Sequence, residues 1–449
     1  MLVVKTLRMR NVCPGIGLTG TQLGTHNTPE PRKPNVFAAF SVRNFRILWI
    51  GRVTSNMSRQ MREFLRAWIV WESTRSPLRL GIVSASLAWP MLFMPFVGGF
   101  LADRLDRRLV LKFTETALVF LWGIVAALVY FQQIQWWHFI VSGLVSGIIQ
   151  SIGRPGHQAI LGNIVEETHM PSAVALDTAA DTWPRAAGPA IGGILMGIIG
   201  VRLTFLLHVF GQIFTAITIF LLRWNPSEER LKQTEAGSVG SFFGGFRYVW
   251  NERVLFGLIG LGVCYAMVGS SVHFLMPVFA DAILKVGATG LGFLMTSSTI
   301  GASLGSLVVV VLVNFPRRGY LLFAVACINV VFLILFSRSD TFSLSICIIV
   351  GMGMANVMFR AFRVTLMQIL TPNHLKGRVI SFQTAIQGMS WIGVLFMGSL
   401  AEILSSQMGL SFGPVRLGGN ISNGAADTVL IGAILYGVAT LAFFWLVPS

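Results

Sequence analysis

The stretch that decides the fold of this 449-residue chain lies between two long apolar segments and reads Gly99-Phe100-Leu101-Ala102-Asp103-Arg104-Leu105-Asp106-Arg107-Arg108. Ionised groups inside hydrocarbon cost about 2.5–3.5 kcal/mol each on insertion scales, so this charged run belongs at a membrane face. Because apolar sequence begins directly on both sides of it, we predict a short loop that joins two transmembrane helices.

The composition agrees with a membrane protein. Hydrophobic residues make up 54% of the chain and charged residues 12%, where a soluble domain carries about a quarter of charged residues. The formal net charge is +16, but the basic residues are scattered between apolar segments and do not cluster on one soluble face. We therefore expect contact with membrane lipids and no nucleic-acid partner.

Reading for runs of about 20 mostly apolar residues predicts an all-α protein with about twelve transmembrane spans. They lie near 45–71, 77–102, 109–131, 136–161, 172–199, 201–222, 254–280, 289–313, 319–336, 341–366, 378–404 and 428–447. The longest polar interruption divides them six and six, which predicts four regions. These are a disordered cytosolic tail at 1–36, a six-helix bundle at 37–223, a cytosolic linker at 224–252 with an amphipathic segment at 242–250, and a second bundle at 253–449.

The loop charges predict the orientation. With a cytosolic amino terminus, nineteen Lys and Arg residues fall on the inner side and about six on the outer side, which places both termini in the cytosol. The two halves also resemble each other, as in transporters built by internal repetition. The stretch from Arg154 to His169 reappears as Arg360 to His374.

The charged loop resembles the signature loop of the major facilitator superfamily, whose pattern is Gly, three residues, Asp-Arg, two residues and Arg-Arg. Further stretches resemble the branch that includes the enterobactin exporter and macrolide efflux pumps. They are Asn44-Phe45-Arg46 with Leu48-Trp49, Ser76-Pro77-Leu78 with Leu80-Gly81, Arg154-Pro155 with Gln158-Ala159, Pro171 with Ala173, Ala175 and Leu176, Gly188-Pro189-Ala190-Ile191-Gly192-Gly193, Met276-Pro277-Val278-Phe279, Gly287-Ala288-Thr289-Gly290-Leu291-Gly292, and Gly377-Arg378-Val379 with Ser381.

The resemblance implies two pseudo-symmetric six-helix bundles around a central cavity, in the cell membrane. It implies efflux of a small molecule by alternating access, usually coupled to protons. For assembly, we expect a monomer. In the family the loop aspartate, here Asp103, acts as a latch that closes the cytosolic side. The gate residues implied for this chain are Gly99, Asp103, Arg104, Arg107 and Arg108. Asp106 departs from the pattern, since the wider superfamily prefers Gly there.

Small residues in the fifth predicted span allow close helix packing, and a proline there can kink the helix. The residues are Gly188, Pro189, Gly192 and Gly193. The family associates this pattern with export, while packing alone explains it equally well.

The first predicted span is the point where this chain differs most from the family, because it carries Arg59, Arg62, Glu63 and Arg66. Facing lipid, these four would cost on the order of 10–14 kcal/mol, so they must face a cavity or other helices. One hypothesis is an ion-pair ladder in which Glu63 reaches Arg59 and Arg66. The other is an electropositive cavity for an anionic or polar substrate.

The second hypothesis includes three more basic residues in the spans, which are Arg154, Arg360 and Arg363. Proton coupling requires a carboxylate near the cavity. Glu63 is the first candidate by position, although the neighbouring arginines favour its charged form, and Glu115 is the second.

Two other classes compete with a transporter. A membrane receptor or sensor with the same fold is one, and a polytopic membrane enzyme is the other. The enzyme would need a cluster of His, Asp or Glu at one membrane face, and none is evident. His157, His208 and His273 have no metal-ligand spacing, and the chain has no Gly-Lys-Ser/Thr loop for ATP. We therefore predict neither a metal, a cofactor nor an enzymatic activity.

Overall fold

Apolar runs of span length become long helices. The computed structural model describes residues 37–86, 90, 107–222, 252–269, 272–312, 315, 317–372, 376–406, 410–412, 415–417 and 420–446. The predicted tail at 1–36, most of the charged loop and the amphipathic segment at 242–250 lie outside these residues.

A short 3-10 turn, Ala38–Ser41, precedes the first helix. The described helices are α1 (Arg43–Thr74), α2 (Pro77–Ser86), α3 (Arg107–Tyr130), α4 (Trp136–Ile164), α5 (Met170–Leu221), α6 (Arg253–Cys264), α7 (Val272–Val278), α8 (Gly287–Leu312), α9 (Arg318–Ser337), α10 (Phe342–Leu370), α11 (Lys376–Ser405) and α12 (Ile421–Leu446). Between α11 and α12 two short strands, β1 (Leu410–Phe412) and β2 (Val415–Leu417), pair antiparallel. This hairpin is a small addition to the predicted all-α architecture.

Eight described segments are long and apolar enough to cross a membrane. They are α3, α5, α8, α9, α10, α11, α12 and the segment Arg253–Ile283. Helix α1 is long enough at 32 residues, but its sequence includes six arginines and two glutamates. These charges can lie in a membrane only where other helices cover them.

Helix α5 contains two of the predicted spans in one run of 52 residues. The two halves meet at Gly200, whose φ of +79° lies in the left-handed region. Glycine adopts this conformation readily because it has no Cβ, so a single residue turns the chain between the spans.

The seventh predicted span, 254–280, is interrupted. Helix α6 is followed by a π-helical turn, Tyr265–Gly269, and α7 by a second one, Phe279–Ile283. Pro277 in α7 removes one backbone donor, and π turns widen a helix by one residue, so both features break the regular pattern. Apolar periodicity alone predicts a straight helix here.

Helix α5 is the central packing element. Its first half lies against α1, where the Asn56 side chain donates a buried hydrogen bond of 3.0 Å to the Ala180 carbonyl oxygen. Its opposite side lies against α8, where the Thr296 hydroxyl donates to the Ala186 carbonyl oxygen at 2.8 Å. The α1 and α8 helices are thereby fixed to the same scaffold.

The glycines of the fifth predicted span lie at these two contacts. A Cβ on Gly192 would lie 3.1 Å from the Phe64 ring, and a Cβ on Gly193 would lie 2.9 Å from the Ala288 carbonyl oxygen. Gly188 and Pro189 are buried in the same region. From the α8 side, a Cβ on Gly292 would lie 2.6 Å from the Pro189 carbonyl oxygen. Backbones therefore touch directly at this crossing.

Candidate functional site

A polar cavity of about 400 Å³ lies among α1, α3, α4 and both halves of α5. Its ionised lining residues are Arg52, Arg59, Arg62, Arg185, Glu115, Asp177 and Asp181. Among the lining residues that the structure describes, four arginines thus face three carboxylates, which leaves one formal positive charge in excess. This described part of the wall is polar and mildly electropositive.

Two arginines of α1 are paired with aspartates of α5. The Arg52 Nε lies 2.6 Å from an Asp177 carboxylate oxygen, and an Arg59 Nη lies 3.4 Å from Asp181. Asp181 also accepts from Arg185, one turn further along α5, at 2.7 Å. Two arginines seven residues apart on α1 therefore contact two aspartates four residues apart on α5. These aspartates offset much of the excess positive charge that the sequence predicts for the cavity.

A second ionic cluster lies deeper along α1. An Arg66 Nη lies 2.5 Å from one Glu63 oxygen, and an Arg62 Nη lies 3.5 Å from the other. Arg62 and Arg66 are 3% and 6% exposed. Of the three residues, only Arg62 lines the cavity within the described part of the chain. The predicted ion pair of Glu63 with Arg66 is present, but the second arginine on Glu63 is Arg62, and Arg59 pairs with Asp181 of α5. Since Arg62 also lines the cavity, ion pairing and a basic cavity wall occur together.

Arg62 also contacts an aromatic ring. Its guanidinium carbon lies 4.3 Å from the centre of the Trp122 ring on α3. The Trp122 ring in turn meets the His208 ring of α5 edge to face, with 5.9 Å between the ring centres. A guanidinium on an indole face is attracted by the ring quadrupole, so Arg62 is held in a fixed orientation.

Glu115 of α3 is buried and lines the cavity. It accepts a hydrogen bond of 2.8 Å from the Gln212 side chain on the second half of α5. Sequence reasoning named Glu115 as the second candidate for proton coupling, and the structure puts it in the wall, whereas Glu63 is paired behind it.

The predicted basic residues of the second half lie on α10. Arg360 is exposed, while Arg363 is buried, with its guanidinium carbon 5.9 Å from the centre of the Phe359 ring. Neither belongs to the described wall of this cavity. Gly99, Asp103 and Arg104 lie outside the described residues, as do the side chains of Arg107, Arg108 and Arg154.

The α1–α2 corner is tied to the second half of the chain by two carboxylates. Asp281 accepts from the Trp71 indole at 3.0 Å and forms an ion pair with Arg75. Glu402 accepts from the Ser76 hydroxyl at 2.8 Å and from the Leu78 backbone N–H at 3.3 Å. We call this set of contacts the corner closure.

Sequence reasoning missed the corner closure. The sequence gives one indication of these contacts: Asp281 and Glu402 lie near the ends of two distant spans, and Arg75 lies between the first two spans. In addition, the described residues contain no group of three or more His, Cys, Asp or Glu that could hold a metal ion.

Eight apolar segments of span length identify an integral membrane protein, and its fold is that of the major facilitator superfamily. The nucleoside transporter NupG superposes with a TM-score of 0.66 at 16% identity, over 90% of this chain and 99% of that one. A bacterial homologue of the iron transporter ferroportin superposes with a TM-score of 0.67 at 14% identity, over 90% and 98%.

The chain belongs to the family of transmembrane secretion effectors, whose family model matches residues 35–421. It is 23% identical over 375 residues to the staphyloferrin A transporter of Staphylococcus aureus, covering 81% of this chain and 89% of that one. It is 24% identical over 365 residues to the enterobactin exporter of Shigella dysenteriae, covering 80% and 86%. The chain is therefore a secondary transporter of a small molecule and not an enzyme, as the sequence predicts.

Proposed function

We propose that this transporter exports a small polar molecule with ionised groups, which enters the α1–α3–α4–α5 cavity from the cytosol. The observation that carries the proposal is the ion-lined wall, in which arginines of α1 pair with aspartates of α5. Such a wall binds polar groups in exchange for its own ion pairs, and it disfavours a purely apolar ligand, which would leave buried charges without solvation.

The relatives support this assignment. One is named an enterobactin exporter and the other a staphyloferrin A transporter. We extend to this chain only the direction given by the first name, which is export, and the class common to both, which is a small molecule.

The position of the cavity along α1 supports uptake from the cytosolic side. The cavity is lined by α1 residues from Leu48 to Arg62, and the corner closure begins at Trp71, about 13 Å further along the helix axis at 1.5 Å per residue. With both termini in the cytosol, as the loop charges predict, the corner closure lies on the outer side. Export then requires that these contacts break while the Asp103 loop closes the inner side.

We further propose that export is coupled to proton entry and that Glu115 carries the proton. Glu63 is the weaker candidate, because its two oxygens lie at 2.5 Å and 3.5 Å from arginine nitrogens. Glu115 lines the cavity and accepts a hydrogen bond from the neutral amide of Gln212, and a carboxyl oxygen can accept this bond in the protonated state as well.

The remaining elements of the proposal are a plasma-membrane location, a monomeric state, contact with lipids and the absence of a nucleic-acid partner. The location and the lipid contact rest on the apolar spans, and the absence of a nucleic-acid partner rests on the scattered basic residues. The monomeric state rests on the resemblance to the family.

The experiment that tests export compares metabolites inside and outside cells that lack the gene with those of complemented cells. We expect at least one small polar metabolite to accumulate inside the deletion strain and to fall in the medium, with both changes reversed by the wild-type gene. Complementation with Asp103→Asn should restore membrane insertion without restoring export. Unchanged metabolite levels on both sides of the membrane would favour a receptor or sensor instead.

A further inference from the structure

Two residues that line the cavity carry a buried unpaired hydrogen-bond donor, and a third such donor lies on the indole ring beside one of them. They are the Arg62 Nε, the Trp122 Nε1 and the Gln150 Nε2, and none has a hydrogen-bond partner among the residues that the structure describes. Buried polar atoms in folded proteins are nearly always paired, so each exception needs an explanation. Both ring nitrogens of His208, which lies against Trp122, are unpaired in the same way. Arg62 and Gln150 line the cavity, so a group that enters the cavity can pair with their two donors.

The donors come from three helices that enclose the cavity. Arg62 on α1 and Gln150 on α4 line it directly, and Trp122 on α3 lies behind Arg62 with its ring 4.3 Å from the guanidinium carbon. Trp122 is itself 1% exposed and held against the His208 ring. The guanidinium plane is therefore fixed before any ligand arrives, which reduces the entropy lost on binding.

The ion pair with Glu63 leaves part of Arg62 available. Glu63 contacts an Nη atom at the long distance of 3.5 Å and takes its shorter contact, 2.5 Å, from Arg66. A guanidinium presents five donors in a rigid fork that matches a planar oxyanion in two-point contact. An amide N–H from Gln150 adds a third donor of the same kind.

We propose that Arg62 and Gln150 bind a carboxylate group of the transported molecule and that Trp122 is a positioning residue that holds Arg62 in place. The proposal rests on the proposed export function and specifies the chemistry of its substrate. The unpaired atoms of Arg62 and Gln150 are hydrogen-bond donors, so they favour a ligand group that has acceptors and no donors of its own. An ionised carboxylate is such a group. Neutral amides and ammonium groups of the same size are poorer partners, since each brings N–H donors of its own.

The test measures binding of three matched probes to the purified full-length protein in detergent. Benzoate, benzamide and benzylammonium have nearly the same size and shape and differ in charge and in donor number. We expect the dissociation constant of benzoate, measured by ligand-observed NMR titration, to be lower than those of the other two by about tenfold or more. Equal binding of the three probes would overturn the proposal.

Variants of the wall identify the residues responsible. Arg62→Lys keeps the charge but removes the fork, and Gln150→Leu removes the amide donor. We expect benzoate binding to weaken about tenfold in the first and about threefold in the second. Arg79→Lys is the matched control, because Arg79 also lies over an indole ring, that of Trp136 at 5.4 Å, but is exposed and outside the described cavity wall. Benzoate binding in Arg62→Lys equal to the wild type would overturn the proposal.

A second variant covers the case in which Arg62→Lys does not fold. Gln150→Glu puts a carboxylate in the wall, and we expect it to weaken benzoate and to strengthen benzylammonium. Circular dichroism and a single size-exclusion peak establish that each variant is folded. Unchanged selectivity in Gln150→Glu would overturn the proposal as well.

The two proposals fail in different ways. If benzoate selectivity depends on Arg62 but no metabolite changes in the deletion strain, export is wrong and the carboxylate subsite stands. If export is found but benzoate selectivity does not depend on Arg62, the subsite is wrong and export stands.

Discussion

At the residue scale, the ionised side chains of the cavity wall hold one another in place. Asp177 and Asp181 hold Arg52 and Arg59, and Glu63 holds Arg62. A substrate with ionised groups must exchange with these pairs in order to bind. The wall therefore selects ligands by charge pattern as well as by size, and each pair contributes to stability and to binding at once.

Asp181 is expected to matter more for stability than either of its partners. It pairs with both Arg59 and Arg185, so Arg59→Gln leaves one pair intact. The Arg59 pair is about one-third exposed, and its loss should lower the free energy of unfolding by about 1 kcal/mol or less. Asp181→Asn should cost more, because two arginines each lose an ionic contact. Thermal unfolding in detergent measures both, and equal costs would contradict the shared role of Asp181.

Neutralising the two candidate coupling carboxylates should have different effects on stability and on transport. Glu63→Gln removes the partner of two buried arginines, and breaking such a pair costs about 3–5 kcal/mol. Glu115→Gln retains a hydrogen bond with Gln212, so stability should change little while the pH dependence of export is lost. Melting temperature and export at several external pH values measure the two effects. A Glu115→Gln protein with normal pH dependence would exclude Glu115 as the carrier.

At the scale of the elements, the contact between α5 and α8 depends on the absence of side chains. A Cβ on Gly292 would lie 2.6 Å from the Pro189 carbonyl oxygen, closer than real Cβ atoms approach backbone. Small residues at helix crossings allow the backbones to come into van der Waals contact. The two halves of the chain meet at this point through backbone atoms.

Gly292→Ala should therefore separate α5 from α8 and lower stability by about 1–3 kcal/mol. Gly260→Ala is the matched control, because Gly260 also lies inside a helix but a Cβ there would meet nothing within 4 Å. In the control, the better helix propensity of alanine should leave stability unchanged or raise it. The melting temperatures of the two variants check this, and a similar loss in both would contradict a specific role for close packing at Gly292.

The helices themselves were largely predictable, and their contacts were not. Apolar runs indicate spans because a bilayer requires about 20 apolar residues whatever the neighbours are. The π turns around α7 depend on packing against other helices, so periodicity cannot reveal them. The pairs of Arg52 with Asp177 and of Arg59 with Asp181 join helices more than 120 residues apart. One sequence shows the charges but not which of them meet.

At the scale of the whole molecule, the corner closure and the cavity lie at different levels along α1. Asp281 and Glu402 both belong to the second half of the chain and both hold the α1–α2 corner of the first half. Movement of the halves at this end must break four contacts together. Closure here is therefore cooperative, and weakening one carboxylate should shift the balance between the open and closed forms.

Glu402→Gln and Asp281→Asn should open the corner side of the cavity. A cysteine placed at Ser55 in the cavity wall should then react faster with a membrane-impermeant maleimide added outside the cell, by about threefold or more if one contact contributes near 1 kcal/mol. Glu72→Gln is the control, because Glu72 accepts from Trp68 within α1 and has no polar contact with another helix in the described part of the chain. Equal labelling rates in all three variants would contradict a gating role for the corner.

The predicted topology is checked in the same way. A cysteine placed in the 405–427 loop should react with the impermeant maleimide from outside, and a cysteine near Lys33 should react only after permeabilisation. Both expectations follow from the excess of Lys and Arg on the predicted inner side. The reverse labelling pattern would place both termini outside the cell and the cavity toward the outer side of the membrane.

The turn at Gly200 has a consequence for how selectivity is maintained. With one residue between them, the two halves of α5 form a hairpin without a loop, and we expect them to move as a single body. Asp177 and Asp181 on one arm then keep a constant distance from Gln212 on the other throughout the transport cycle. The fold thus fixes the spacing between the two arms of the hairpin. This part of the cavity wall would therefore present its polar groups at the same spacing when the ligand is loaded and when it is released. The difference in ligand affinity between the two states must then come from the helices that close around the hairpin.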